Sequence, residues 1–96
     1  MGKDEILTTL RNLRETVRRD YCAEIEGIFG SYARGEQRSD SDLDVLVTFR
    51  EKAHILHVVG LAQFLEEVLQ CKVDVVSQRT LRDEIRPGVL KDLVRL

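Results

Sequence analysis

Three aspartates and one Gly-Ser pair carry the chemistry open to this chain. Asp42 and Asp44 stand two residues apart in SDLDVLVTF (41–49), where apolar Leu43, Val45, Val47 and Phe49 alternate as in a strand with one buried face. Side chains at i and i+2 of a strand point the same way, so both carboxylates fall on the face opposite the apolar four and repel one another. Either water or a cation must offset that charge, and oxygen ligands of this kind suit a hard ion such as Mg²⁺. Asp74 lies in a second strand-like segment, KVDVV (72–76). Two parallel strands starting at one edge would set Asp74 beside Asp44. Aspartate is depleted in strand interiors, and three on one face are a folding cost that a metal would offset.

Gly30 and Ser31 follow the apolar end of EIEGIF (24–29). If that strand runs antiparallel to 41–49, its end lies beside the start of the aspartate strand. Gly30 permits a tight turn and close approach by a ligand, and Ser31 can open the YARG turn with backbone N–H groups and its hydroxyl toward an anion. Phosphate on one side and metal on the other suits nucleoside triphosphate chemistry. Singly, each element reads as something ordinary, a helix start or a solvated loop. Together, as G-S-x10-D-x-D with residue frequencies of roughly 5–7% each, they match by chance in a chain this short on the order of one time in a thousand.

The elements that must position these groups can be read from periodicity. Ile6, Leu10, Leu13 and Val17 form the stripe of an amphipathic helix over 3–20, with Arg11, Arg14 and Arg18 on another face, most simply a solvated one and alternatively a docking surface for an acidic partner. Strands are expected at 24–29, 41–49 and 72–76, and a helix over 54–69 carries Leu61, Phe64, Leu65, Val68 and Leu69. Thr80 can cap a last helical segment, with Pro87 either breaking it or opening a new turn as a first helical residue, and Val89, Leu90, Leu93 and Val94 available to pack it down. A helix between the second and third strands requires them to be parallel. The expected fold is α/β (α+β): a small mixed three-stranded sheet with helices mainly on one face, a single domain over 1–96.

Composition narrows the function classes. A net charge of −2 with 33% charged residues excludes wholesale binding to a polyanion, so no direct nucleic-acid partner is expected. Cys22 and Cys71 form no CxxC or Cys/His pattern, which favours reduced, partly buried thiols in a cytoplasmic protein. The first 20 residues hold no long apolar run, so neither signal peptide nor membrane span is expected. His54 and His57 are i, i+3 on a helix, with no third metal ligand nearby in sequence. Ser31 lacks a motif-linked His and Asp, and Gly27 with Gly30 makes no dinucleotide fingerprint.

GSYARGEQRSDSDLDVLV with the later KVDVV resembles the minimal nucleotidyltransferases (MNT) of the DNA polymerase β-like superfamily, from Glu24 to Leu96. That resemblance implies a polymerase β-like core in which Gly30 and Ser31 contact the triphosphate, Asp42 and Asp44 bind Mg²⁺, and Asp74 completes the metal site. Arg34, in ARG, matches a usually basic position and is implied as a phosphate contact; Tyr32 stands where many relatives carry another arginine. The resemblance further implies ATP or another nucleoside triphosphate as donor. Its implied partner is a HEPN (higher eukaryotes and prokaryotes nucleotide-binding) ribonuclease toxin, silenced by transfer of AMP to its tyrosine, so that the chain acts as an antitoxin. A rival reading is a non-catalytic antitoxin that neutralises by covering its partner, and a third is a stand-alone transferase acting on a small hydroxyl compound. The size leaves no second domain to hold base or acceptor, so a partner or a homo-oligomer would complete the site. All three carboxylates being present argues against a dead enzyme.

Overall fold

The computed structural model describes residues 1–96. The chain runs α1 (Lys3–Asn12), α2 (Arg14–Tyr21), β1 (Ala23–Phe29), α3 (Ser31–Arg34), β2 (Leu43–Phe49), α4 (Ile55–Leu69), β3 (Val73–Ser77), a 3₁₀ turn (Gln78–Thr80), α5 (Arg86–Asp92) and β4 (Val94–Arg95). The sheet order is β3-β2-β1-β4. β1 and β2 are antiparallel and β2 and β3 parallel, as the connection lengths require. The sheet has four strands where three are expected from sequence. The fourth is the two-residue β4, which pairs antiparallel to β1 through Gly27 and Ile28. A strand of two residues carries no periodicity to read.

β2 is the hinge of the architecture. Its Leu43, Val45 and Val47 are fully buried against Ile6 and Leu10 of α1, Val17 of α2, and Leu61 and Leu65 of α4, which form one core cluster. β1 joins that core through a bulge: the register shifts between Ile25 and Gly27, so Ala23, Ile25 and Ile28 all face inward although 25 and 28 differ by three. Gly27 is required there, because a Cβ would be driven into the Val94 backbone of β4.

Three local expectations need correction. The single helix over 3–20 is broken at Leu13, whose N–H is shared between Thr9 O and Leu10 O at 3.1 Å each. The apolar stripe survives the break. Arg18 does not stand on a solvated face with Arg11 and Arg14: its Nε donates to Glu24 Oε1 of β1 at 2.7 Å. Thr80 caps no helix. It closes the 3₁₀ turn by donating to Ser77 O, and α5 begins at Arg86 with Pro87 in its first turn. None of the residues of α5 is buried, so Val89 and Leu90 do not pin it to a core.

Candidate active site

The six residues singled out by their chemistry share one edge of the sheet, where β1 ends and β2 and β3 begin. Asp44 is aligned with Phe29 across the antiparallel pair and with Asp74 across the parallel one. Being neighbours in a parallel register, Asp44 and Asp74 point to the same face, and Asp42 lies two residues before Asp44. Asp42 and Asp74 are exposed, while Asp44, on the central strand, is half-buried. Burial first, then the charges of Asp74 and Asp42, push the Asp44 carboxyl from its ordinary 3.8 up to about 6, against a downward pull from Arg34.

The three carboxylates do not close into a ready ligand set. Like charges hold apart, and among the protein's own groups only Arg34 offsets the charge on Asp44. A divalent ion fits this arrangement chemically. The donors are all oxygen and hard, and the most buried of them has its charged form disfavoured until a cation is beside it.

Gly30 is fixed by its surroundings. Its backbone lies at φ 74° and ψ −154°, a region almost confined to glycine, and a Cβ there would be driven into Asp44 Oδ2 and lie 3.2 Å from Cγ. The close approach foreseen for a ligand is made first of all by the carboxylate itself. Ser31 opens α3, a single turn held by Arg34 N–H donating to Gly30 O and ended at Gly35, whose φ is 73°. α3 therefore carries Ser31 at its start and, at its end, Arg34, which lines the same cavity as Asp44.

Arg34 is engaged. Its Nη1 donates to Asp92 Oδ2 of α5 at 2.6 Å, and its Nε lies 3.4 Å from Glu36 Oε2. α5 thereby forms one side of an open cleft of about 380 Å³ lined by Phe29, Gly30, Arg34 and Asp44 on one side and by Ile85, Gly88, Val89 and Asp92 on the other. Nothing in the sequence pattern marks Asp92 as part of this site. It is separated from Arg34 by 58 positions, and only the fold brings them together.

The side groups that looked chemically active elsewhere have local roles. His54 N–H donates to His57 Nδ1 at 3.1 Å, completing a capping box at the start of α4 in which histidine stands where glutamate is usual. Cys22 and Cys71 are free and half-buried. Tyr32 is buried, and burial followed by the adjacent Cys71 raises its phenol above the ordinary value. No helix is long and apolar enough to cross a membrane.

The chain matches the model of the nucleotidyltransferase domain over residues 10–95. It is 36% identical over 91 residues to the protein adenylyltransferase MntA of Thermococcus cleftensis, covering 95% of this chain and 92% of that one. Among solved structures, a minimal nucleotidyltransferase superposes with a TM-score of 0.77 at 41% identity over 100% of this chain and 97% of its own. A toxin–antitoxin complex with AMP-PNP superposes with a TM-score of 0.70 at 27% identity over 88% of this chain and 69% of its counterpart. The likeness covers β1 to β4 and every residue of the edge just described, and the chain belongs to the nucleotidyltransferases as one of their minimal, polymerase β-like members.

Proposed function

We propose that the chain transfers AMP from ATP to a hydroxyl, using Mg²⁺ held by Asp42, Asp44 and Asp74, and that the acceptor is a tyrosine of a HEPN ribonuclease, which makes the chain an antitoxin. The observation that carries this reading is the register of β2 and β3, which sets Asp74 against Asp44 on the face that Gly30 and Arg34 border. The relatives named as protein adenylyltransferases and the complex holding AMP-PNP support the choice of an adenine nucleotide as donor.

Mg²⁺ would supply charge neutralisation on the triphosphate and stabilise the attacking and leaving oxygens of an in-line displacement. The chain's own groups do the rest. Gly30, lacking a side chain, leaves the turn open to a polyphosphate, and Ser31 offers it a backbone N–H and a hydroxyl. Arg34 contributes the one positive charge lining the cavity. Asp74, at the outer side of the carboxylate row, takes the proton of the incoming hydroxyl. The hydroxyl oxygen bonds to the α-phosphorus as its bond to the pyrophosphate oxygen breaks, and pyrophosphate departs. With its carboxyl near 6, Asp44 is mostly ionised at neutral pH and available as a ligand.

The test is transfer of labelled AMP from ATP to a co-expressed HEPN ribonuclease, with Asp42→Asn and Asp44→Asn as controls. Label on a toxin tyrosine, lost in both variants, is the expected result. Neutralisation of the toxin with no label on it would establish the binding-only antitoxin instead.

A further inference from the structure

The cavity on the Asp44 face has an unusual charge balance for a phosphate-binding site. It is lined by one cation, Arg34, against Asp44, Glu84 and Asp92. The single cation is moreover placed on a four-residue helix, and its side chain is 44% exposed. Left to itself such an arginine samples many rotamers, and fixing it on a ligand costs that freedom. Asp92 removes the cost in advance. Its carboxylate is only 27% exposed and meets Arg34 Nη1 at 2.6 Å, a charge-assisted contact of the short, strong kind. Glu36 touches only Nε, at a long 3.4 Å, so the Nη2 group keeps its donors free.

Resting on the reading of Arg34 as a phosphate contact, we propose that Asp92 is a positioning residue for nucleotide binding: it holds the Arg34 guanidinium beside the Gly30 turn and leaves Nη2 to receive a phosphate. The same contact ties α5 to the site. No residue of α5 is buried, so the helix that walls the cavity is kept in place by this pair, by β4, and by Arg86 Nη2 donating to Leu81 O at 3.0 Å. Asp92 therefore acts through Arg34 and touches no reacting atom.

Two alternative roles make opposite predictions. Were Asp92 a stand-in for phosphate that must be displaced, removing its charge would tighten nucleotide binding. Were it merely a tether for α5, removing it would have the same effect whether or not Arg34 is present. The experiment measures Mg-ATP binding by calorimetry and AMP transfer kinetics on the full chain, with wild type, Asp92→Asn, Asp92→Glu, Arg34→Ala and the Asp92→Asn/Arg34→Ala double variant. Asp92→Asn keeps an acceptor oxygen but loses the charge, and is expected to raise the Kd and the KM for Mg-ATP about five- to tenfold with a smaller fall in kcat. Asp92→Glu recovers part of the loss. In the Arg34→Ala background the same change adds less than about twofold, the non-additivity of groups acting as a unit.

A Kd for Asp92→Asn equal to or below wild type overturns the proposal, and so does an equal loss with and without Arg34. Thermal melting of each variant reports the fold separately. Wild-type protein that neither binds nor transfers the nucleotide overturns the enzymatic reading and this one with it, whereas active wild type with an unaltered Asp92→Asn sinks this one alone.

Discussion

The two faces of β2 differ in nearly every physical respect. On one, Leu43, Val45 and Val47 are fully buried beneath α1, α2 and α4. On the other, Leu46 is buried, Asp44 and Thr48 are half-buried and Asp42, just before the strand, is exposed, and α5, which lines the cavity with Asp44, contributes no buried residue. The helix-covered face supplies most of the hydrophobic free energy, and that surplus lets the other face hold the carboxylates at a cost. Apart from buried Leu46, the strand thus carries its core residues at odd positions and its candidate chemistry at even ones. The two functions should be separable by mutation.

The largest expected separation is at the carboxylates. Asp44→Asn or Asp42→Asn should reduce AMP transfer at least about a thousandfold, the scale on which loss of a metal ligand or charge stabiliser is usually felt, while far-UV circular dichroism keeps the wild-type spectrum. Retained activity in both variants would dissolve the distinction between the faces. On the opposite face, Leu65→Ala should destabilise by about 3 kcal/mol in urea unfolding, with specific activity per folded molecule preserved. A large loss of activity in the folded fraction would mean that the core transmits to the site.

Gly30→Ala falls between the two. It forces a side chain into a glycine-only backbone region and against Asp44 at once, costing on the order of 1–3 kcal/mol of stability and displacing the carboxylate. Lower Tm together with weakened transfer is expected; a variant with wild-type values in both would show that the turn relaxes freely.

Much of this contrast is legible in the sequence. The alternation in β2 assigned each side chain its face, and the helix between β2 and β3 required the parallel pairing that brings Asp74 to Asp44. Those inferences rest on period and connection length, which are local properties. What escaped was non-local or too short to be periodic. β4 has two residues, and the Arg34–Asp92 pair joins positions whose proximity no spacing rule encodes. The bulge between Ile25 and Gly27 likewise depends on the register of the partner strand, which no local pattern encodes. Thr80 misled because a good capping residue is also a good turn residue, and here the turn won.

The smallest effect is the most diagnostic of the unequal faces, because its sign is opposite to that of ordinary mutations. The Asp44 carboxyl titrates near 6 in the folded protein, above its ordinary 3.8. A carboxyl whose pKa is raised by folding binds its proton more tightly in the native state, so the native state loses stability as pH rises from about 4 to about 6 and regains it on acidification. Asp44→Asn cannot ionise and escapes that loss. Relative to wild type it should be more stable at pH 7 by about 1–2 kcal/mol, after allowance for the solvent that still reaches the group, or several degrees in Tm for a chain of this size. The difference should shrink toward zero below about pH 4, where both states of the wild type are protonated. Mg²⁺ should act in the same direction on the wild type alone, since a cation among Asp42, Asp44 and Asp74 relieves the repulsion that the asparagine removes. Melting curves of both proteins at several pH values, with and without Mg²⁺, read all of this directly. An Asn variant less stable than wild type at pH 7 would mean that the carboxylate is held by favourable contacts, and that the face assigned to chemistry was stabilising the fold all along.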